Sequence, residues 1–232
     1  MDAIDKLYYI NLLRKPERKE HFLQQCLIHA IPEDKIVRFD AIDGLTHEFS
    51  RDEQKLLYYL RHARRYNPET WKKIHGNQLS HFKIMQEMIQ KDYSTILVAQ
   101  DDVVFCPNFL DKLNKLMKNL PDNAEMVNIG LYKEAAFEHF VAWDFVETHH
   151  CEPFTEYVGR LKPEFNPCSL AYIITKQGAI NIVNFLTRHG FRFETDHVFN
   201  RYLYRKNIMY FPNEVLATGN VDLASDIFSN FQ

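Results

Sequence analysis

Two adjacent carboxylates interrupt an apolar stretch near the middle of this 232-residue chain. Asp101 and Asp102 follow the apolar run 96–99, and a second apolar run, 103–105, comes directly after them. Apolar runs of this kind are typical of buried strands, and buried carboxylates are costly unless a cation neutralises them. Because Mg²⁺ and Mn²⁺ prefer oxygen ligands, the pattern predicts a divalent metal site that could grip a phosphate group.

The elements that would position this pair alternate between strands and helices. The alternation predicts an α/β fold with a mostly parallel central sheet flanked by helices. We expect strands at 7–12, 36–39, 95–99, 126–130, 170–175 and 208–211. We expect helices from Pro16 to before Pro32, then at 52–60, 78–90, 108–118, 176–186 and 196–204, with a basic segment of weaker pattern at 61–73. The apolar face of the first helix would comprise Phe22, Leu23, Cys26, Leu27 and Ala30.

Ligands of open α/β sheets bind beyond the carboxyl ends of the strands. Polar side chains that would converge there, at strand ends or at a late helix entry, are Asn11, Arg14, Arg18, Asp40, Asp43 and Asp196. Guanidinium groups suit bidentate contact with phosphate, so arginines facing a metal-loaded acid pair indicate a diphosphate substrate.

The composition limits the function classes that remain. No Pro/Gly/Ser-rich linker or repeat divides the chain, so we expect one domain over 1–232. A net charge of −3 argues against wholesale nucleic-acid binding. No signal peptide and no apolar run long enough to span a membrane is evident. The four cysteines form no Cys-x-x-Cys pair, so the sequence favours reduced thiols in the cytoplasm over a zinc site. No glycine-rich dinucleotide or P-loop motif occurs.

Several short segments in order along the chain resemble glycosyltransferase family 25, which includes lipooligosaccharide galactosyltransferases and collagen hydroxylysine galactosyltransferases. The segments are Tyr9-Ile10-Asn11-Leu12 with Arg14, Pro16 and Arg18; 38–44; Leu79-Ser80-His81; 97–103; 171–174 with Gly178-Ala179; and Ser225-Asp226-Ile227. The ordered set covers nearly the whole chain.

The resemblance implies a GT-A type nucleotide-sugar-binding fold, a UDP-sugar donor, a divalent metal (Mn²⁺ or Mg²⁺) and inversion at the anomeric carbon. Asp102 matches the acidic position that ligates the metal directly, with Asp101 beside it as a metal or substrate contact. The chain departs from the family at Gln100, which replaces the first acid of a Glu-Asp-Asp triplet. It departs again near Gly76, where little of the family's Gly-Glu-x-Gly-Cys stretch remains.

The resemblance also implies roles for residues elsewhere in the chain. An inverting transfer needs a base that takes the proton of the acceptor hydroxyl. Asp196 is the candidate base, and Glu194 is the fallback. The structural alternative for Asp196 is the N-cap of a helix. The expected substrate contacts are Asn11, Arg14, Arg18, Asp40, Asp43, Ser80, His81, Asp101, Ser225 and Asp226. For His81 a structural hydrogen bond is the alternative, and for Ser225 and Asp226 a frayed tail.

Two side-chain groups outside these motifs are candidates for acceptor binding. An aromatic platform would comprise Phe137, Phe140, Trp143, Phe145, Phe154 and Tyr157, although such residues are more often core. A basic stretch that could favour an anionic acceptor comprises Arg61, Arg64, Arg65, Lys72 and Lys73, although a solvated face is its ordinary interpretation.

The sequence therefore predicts a metal-dependent inverting transferase that moves galactose or glucose from a UDP-sugar to a hydroxyl of a glycan or protein. Lipopolysaccharide or other glycan biosynthesis is the expected setting, in the cytoplasm, or in host cytoplasm or a virion if the source is viral. A non-catalytic nucleotide- or glycan-binding family member and a metal-dependent phosphohydrolase remain as alternatives. The oligomeric state is not fixed by the sequence.

Overall fold

Strands and helices alternate along the described part of this computed structural model, which comprises residues 1–57, 66–131, 151–161, 168–192, 194–204, 209–212, 214–220, 222–223 and 227. The strands are β1 (Lys6–Asn11), β2 (Ile36–Asp40), β3 (Thr95–Gln100), β4 (Val103–Phe105), β5 (Met126–Asn128), β6 (Gly130–Leu131), β7 (Cys151–Pro153), β8 (Val158–Leu161), β9 (Ala171–Thr175), β10 (Met209–Pro212) and β11 (Ala217–Gly219). The helices are α1 (Pro16–Ile28), α2 (Arg51–Leu56), α3 (Pro68–Gln90), α4 (Phe109–Lys118), α5 (Lys176–His189) and α6 (Thr195–Tyr204), with a 3₁₀ turn at Glu33–Lys35.

The main sheet has the strand order β2-β1-β3-β9-β5-β10-β8-β7. Its pairings orient six of the eight described strands in one direction, and β8 and β9 run against them. The predicted α/β class with a mostly parallel central sheet flanked by helices is confirmed. The strand predicted at 170–175 is also present, but it lies antiparallel between β3 and β5. An apolar run indicates a buried strand without indicating its direction.

The carboxyl ends of β1, β2 and β3 lie side by side. In the register, Asn11 pairs with Asp40 and Ile10 pairs with Gln100. The chain then turns at 101–102, leaves the main sheet and enters β4 of a second sheet with the order β4-β11-β6. The acid pair therefore occupies the bend between two sheets, which places it where the sequence predicts a ligand site.

Alternating side chains of β3 fill two apolar cores. Ile96 and Val98 belong to the core that α3 and α5 cover, while Leu97 and Ala99 belong to the core that α1 and α4 cover. Because successive strand residues point to opposite faces, a continuous apolar strand is the pattern of a sheet buried on both sides. The buried side chains hold β3 in place, and the acid pair comes directly after the end of this strand.

Helix α3 begins ten residues before the predicted start of this helix at residue 78. Asn67 accepts a hydrogen bond from the Thr70 amide at 2.8 Å, and Pro68 occupies the first turn. Both are strong helix-start features. Trp71 and Ile74 are buried. The residues near 68–73 are therefore helical, and the prediction of a separate basic segment there is wrong.

Two other helix predictions differ in their details. On α1, Phe22 and Cys26 are buried as predicted, but Leu23 and Leu27 are 38% and 74% exposed, and the buried polar residue is Arg18. The helix predicted to begin at residue 108 begins at Phe109, because Asn108 adopts a left-handed conformation with φ of 58° and its side chain makes no capping hydrogen bond. Among the described helices, none combines the length and apolar character needed to span a membrane.

Candidate functional site

The acid pair lies almost completely buried at the end of β3. The side chains of Asp101 and Asp102 are 5% and 6% exposed. The bend that carries them is fixed from behind, because the backbone amide of Asn220, just after β11, donates to the Asp102 carbonyl at 2.7 Å. The small sheet thus determines where the two carboxylates point.

Arg18 binds both carboxylates from the first turn of α1. Its Nη1 donates to Asp101 Oδ1 at 2.9 Å and its Nη2 donates to Asp102 Oδ2 at 2.8 Å. The helix N-terminus disfavours a cation, and buried charges need partners, so the guanidinium and the acid pair compensate one another. The anion that Arg18 meets in this structure is the chain's own acid pair.

Asn11, at the end of β1, connects the acid pair to β2. Its Nδ2 donates to the Lys15 carbonyl at 3.0 Å and to Asp101 Oδ2 at 2.7 Å. Its Oδ1 accepts from Arg38 Nε at 3.1 Å and from Arg38 Nη2 at 2.8 Å. These bonds fill the capacity of the amide and define its orientation. The sequence motif included Arg38 but assigned it no role.

One carboxylate oxygen of Asp102 differs from the other three of the acid pair. Among the described residues, no hydrogen-bond partner reaches the buried Oδ1 of Asp102. Burial raises the pKa of Asp102, and the adjacent Arg18 guanidinium opposes that rise. An unsatisfied buried carboxylate oxygen is suited to a cation, and Mg²⁺ or Mn²⁺ commonly takes one or two protein carboxylates and completes its shell with water and substrate phosphate. Within the described ranges, no three His, Cys, Asp or Glu side chains are grouped so as to hold a metal ion.

A cleft of about 650 Å³, part of it open to solvent, lies in front of the acid pair. Its cationic lining residues are Arg14, Arg18 and Lys73, and its acidic ones are Asp43, Asp101 and Asp102. Asn77, Ser80 and Gln100 add uncharged polar groups to the lining. The cleft therefore offers both an acidic floor and cations that could bind an anionic substrate.

The loop after β2 forms one wall because two glycines let it lie directly on α3. A Cβ added at Gly76 would fall 2.2 Å from the Ile42 carbonyl oxygen, and one at Gly44 would fall 1.7 Å from that of Lys72. Ser80 Oγ accepts from the Ile42 amide at 2.9 Å and donates to the Gly76 carbonyl at 2.7 Å. Ser80, a predicted substrate contact, therefore lines the cleft and also holds this loop.

Asp43 is placed at the cleft by that loop. Its Oδ2 accepts from Arg14 Nε at 2.6 Å, and its Oδ1 accepts from the Leu45 amide at 3.1 Å. Both Asp43 and Arg14 were predicted substrate contacts, and the structure brings them together beside the acid pair.

Asp40 and His81 lie away from the cleft lining. The Asp40 side chain is 64% exposed and pairs with Arg38 at 3.0 Å. His81 is 1% exposed, and its Nδ1 is hydrogen bonded to the Tyr172 hydroxyl at 2.8 Å. Burial lowers the pKa of His81 to about 3. His81 therefore makes a buried structural hydrogen bond, which was the alternative to a substrate contact.

The candidate bases lie at and just before the start of α6, outside the cleft lining but joined to it through Thr195. Glu194 and Asp196 are partly buried, and Asp196 Oδ1 accepts from the His197 amide at 2.8 Å. Between them, Thr195 Oγ1 donates to Asn77 Oδ1 at 2.9 Å, and Asn77 lines the cleft. Ser225 and Asp226 lie outside the described residues, whereas the following residue, Ile227, lines the cleft.

The predicted acceptor-binding groups fall partly outside the described residues. Those outside are Phe137, Phe140, Trp143, Phe145, Arg61, Arg64 and Arg65. Phe154 is 45% exposed, and the Lys115 ammonium lies 4.6 Å from the centre of the Tyr157 ring. Lys72 is exposed and Lys73 lines the cleft.

Asn77 was not predicted as a site residue, and Lys73 was predicted only within the basic stretch and not on the cleft face of α3. Together with Ser80 they lie at positions i, i+4 and i+7, which share one helix face. Extending the helical pattern backwards from Ser80 would have identified both. The predicted helix start at residue 78 excluded them from that face.

The fold and the site define an α/β protein with an acid-pair cleft at the carboxyl ends of its parallel strands. The family model described as "Glycosyltransferase family 25 (LPS biosynthesis protein)" matches residues 4–199. The chain belongs to glycosyltransferase family 25, as its sequence motifs indicate.

Curated relatives carry several names. A putative glycosyltransferase, R655, of Acanthamoeba polyphaga mimivirus is 28% identical over 127 residues, which cover 54% of this chain and 37% of that protein. Human procollagen galactosyltransferase 2 is 29% identical over 189 residues, which cover 78% of this chain and 28% of that protein. A human protein named inactive glycosyltransferase 25 family member 3 is 30% identical over 120 residues, which cover 51% of this chain and 20% of that protein. The chain thus spans about a third of the length of these relatives, with 37% of the mimivirus protein and 28% of human procollagen galactosyltransferase 2 covered.

Proposed function

We propose that this chain transfers a hexose, galactose or glucose, from a UDP-sugar to a hydroxyl group of a glycan or protein, with inversion at the anomeric carbon. Family membership supports glycosyl transfer, and the name of the procollagen galactosyltransferase relative favours galactose. The observation that carries the proposal is the buried Oδ1 of Asp102, which has no hydrogen-bond partner among the described residues, in a residue that lines a cleft also lined by cations. A GT-A type of nucleotide-sugar fold is consistent with this strand-end site.

Asp102 would hold Mn²⁺ or Mg²⁺ through its unsatisfied oxygen, and the bound metal would supply positive charge to stabilise the departing diphosphate. Arg14 lies in the lining with 41% of its side chain exposed, so its guanidinium is accessible to a phosphate. Arg18 is engaged with the acid pair, and we assign the second phosphate contact to Lys73 instead. Lys73 pairs with the more exposed Glu69 at 2.9 Å and can exchange that partner for a diphosphate.

The acceptor hydroxyl needs a base as its oxygen attacks the anomeric carbon and the bond to the UDP oxygen breaks. Asp196 is the candidate base, because α6 begins beside the cleft and one of its carboxylate oxygens is oriented by the His197 amide. Glu194 is the alternative on the same turn. Asp43 and Ser80 also line the cleft, where they would contact the nucleotide portion of the donor.

The proposal is tested by measuring UDP release from a panel of UDP-sugars with Mn²⁺ and with EDTA. Wild type is compared with Asp102→Ala and with Asp111→Ala, which removes an exposed aspartate on α4. Metal-dependent release that is selective for one sugar, is lost in Asp102→Ala and is kept in Asp111→Ala would support transfer. Equal release from wild type and Asp102→Ala would contradict the role of the acid pair, and UMP with hexose 1-phosphate as the products would indicate a phosphohydrolase instead.

A non-catalytic, nucleotide- or glycan-binding role is the second candidate. Gln100 favours it, because this amide lines the cleft where the family pattern has an acid, and one relative is named inactive. Gln100 Nε2 donates weakly towards the Ser169 carbonyl at 3.4 Å. Metal-dependent UDP binding without release in the presence of any acceptor would favour this candidate. Restoration of release by Gln100→Glu would identify the amide as the cause.

A further inference from the structure

The two neighbouring carboxylates of the acid pair are held in different ways. Asp101 has a partner on each oxygen, Arg18 on Oδ1 and Asn11 on Oδ2. Asp102 has Arg18 on Oδ2, and no partner from the described residues on Oδ1. Asp102 Oδ1 is therefore the oxygen of the pair that a bound cation could satisfy, whereas both oxygens of Asp101 already have partners.

The partners of Asp101 continue outwards as a chain of hydrogen bonds through three elements. Arg38 on β2 donates twice to Asn11 on β1, and Asn11 donates to Asp101. Arg18 on α1 approaches from the other side. The Arg38 side chain is 26% exposed, Asn11 is 1% exposed, and neither belongs to the cleft lining. These residues reach the cleft through Asp101 and not by direct contact.

The charges along this series of hydrogen-bonded side chains are unequally compensated. Arg38 pairs with Asp40 at its outer end, and Arg18 is a single positive charge shared by two carboxylates. Because two carboxylates share this one guanidinium, a cation bound at the unsatisfied oxygen of Asp102 would add a second positive partner for the pair.

We infer that Arg38, Asn11, Asp101 and Arg18 form a positioning scaffold for Asp102, the metal-binding residue of the proposed function. Asp101 is then a positioning residue and not a metal ligand. Arg38 determines cation affinity from outside the cleft, because its two bonds to Asn11 Oδ1 keep the Asn11 amide group turned towards Asp101. The inference rests on the proposed function for the identity of the cation, whereas the roles within the scaffold are tested without any transfer reaction.

The experiment compares Asp101→Asn with Asp102→Asn, two isosteric changes at adjacent positions, by thermal unfolding of the metal-free chain. At position 101 an amide places an NH₂ group against either Asn11 or Arg18, which are both donors, and we expect the midpoint to fall by about 4–8 °C. At position 102 the carbonyl can still accept from Arg18 and the NH₂ replaces the unsatisfied oxygen, so the fall should be less than half as large. A larger fall for Asp102→Asn would overturn the assignment of Asp101 to the scaffold.

The same variants are then titrated with Mn²⁺ alone, and the free ion is followed by electron paramagnetic resonance. Asp102→Asn should abolish binding, whereas Asp101→Asn and Arg38→Gln should retain it with affinity reduced roughly tenfold or somewhat more. Arg51→Gln, which removes an exposed arginine at the start of α2, is the matched control and should bind like wild type.

Loss of Mn²⁺ binding in a folded Asp101→Asn protein that matches the loss in Asp102→Asn would make Asp101 a direct ligand and overturn the inference. Unchanged affinity in Arg38→Gln would overturn the role of Arg38. Wild type that binds no Mn²⁺ would overturn the assignment of the open oxygen to a cation. Transfer of labelled hexose from a UDP-sugar to an acceptor, measured in EDTA, would still decide separately whether the chain is a transferase.

Discussion

The Thr195 hydroxyl donates a 2.9 Å hydrogen bond to the Asn77 side-chain carbonyl, which joins the start of α6 to a residue that lines the cleft. Thr195 is 3% exposed, so solvent cannot replace this bond. The two candidate bases flank Thr195 in the sequence. The bond therefore fixes the part of α6 from which a base would reach the acceptor.

Replacing Thr195 by valine should reduce turnover without weakening donor binding. The substitution preserves the shape of the side chain but removes the hydroxyl, and a small misplacement of a catalytic group can cost roughly 10- to 100-fold in rate. The measurement is kcat for UDP release together with the Kd of UDP. Thr187→Val is the matched control, since Thr187 donates to the Val183 carbonyl on the exposed face of α5. An unchanged kcat in Thr195→Val would mean that the position of α6 does not limit the reaction.

Asp196→Asn should lower kcat by roughly 10²- to 10⁴-fold while UDP binding is retained, because an amide cannot accept the acceptor proton. Its side-chain carbonyl can still accept from the His197 amide, so the local fold should survive. Glu194→Gln is made in parallel. If Glu194→Gln shows the large loss and Asp196→Asn does not, the base is Glu194; if both retain turnover, the base lies elsewhere.

Changes at Gly76 and Ser80 should displace the loop that carries Asp43. A methyl group at Gly76 would fall 2.2 Å from the Ile42 carbonyl oxygen, so Gly76→Ala must move the loop or the helix, at a cost of about 1–3 kcal/mol. Ser80→Ala leaves the Ile42 amide without its acceptor and should cost about 1–3 kcal/mol. Urea unfolding and UDP affinity are measured, with Gln86→Ala on the exposed side of α3 as the control. Loss of stability with unchanged UDP affinity would show that this loop does not form the donor site.

His81 should make stability depend on pH below its ordinary pKa. Burial lowers its pKa from 6.5 to about 3 in the folded protein, so between these values the unfolded chain binds more protons. The stability from neutral His81 is present above pH 6.5 and falls by about 1.4 kcal/mol per unit as pH drops towards 3. His81→Gln should flatten this part of the curve of unfolding free energy against pH. An equal slope in wild type and variant would show that His81 is not buried as a neutral group.

The location of the site could be predicted from the sequence because the signals are local. An apolar run that stops at Asp101 and Asp102 indicates a strand end, and parallel strands bring their carboxyl ends to one edge of a sheet. Asn11, Arg14 and Asp43 were predicted for the same reason, and the structure places them at that edge.

The partners of these residues could not be predicted in the same way. The pairing of Arg18 with the acid pair joins residues separated by 83 and 84 positions, and no local pattern encodes that distance. Arg38 acts through Asn11, and the hydrogen bonds between these two side chains depend on the register of β1 with β2. The direction of β9 and the early start of α3 depend on tertiary packing and on a cap at Asn67, which the apolar periodicity does not report.

The most direct test of the proposed transfer compares hexose transferred with UDP released in one reaction. The donor is a radiolabelled UDP-galactose or UDP-glucose, the acceptors are hydroxyl-bearing glycans and hydroxylysine peptides, and wild type is compared with Asp102→Asn in Mn²⁺. A glycosyltransferase should place one labelled hexose on the acceptor for each UDP released, and Asp102→Asn should abolish both products together. UDP release with free hexose and no labelled acceptor from any of these substrates, or equal transfer by wild type and Asp102→Asn, would contradict it.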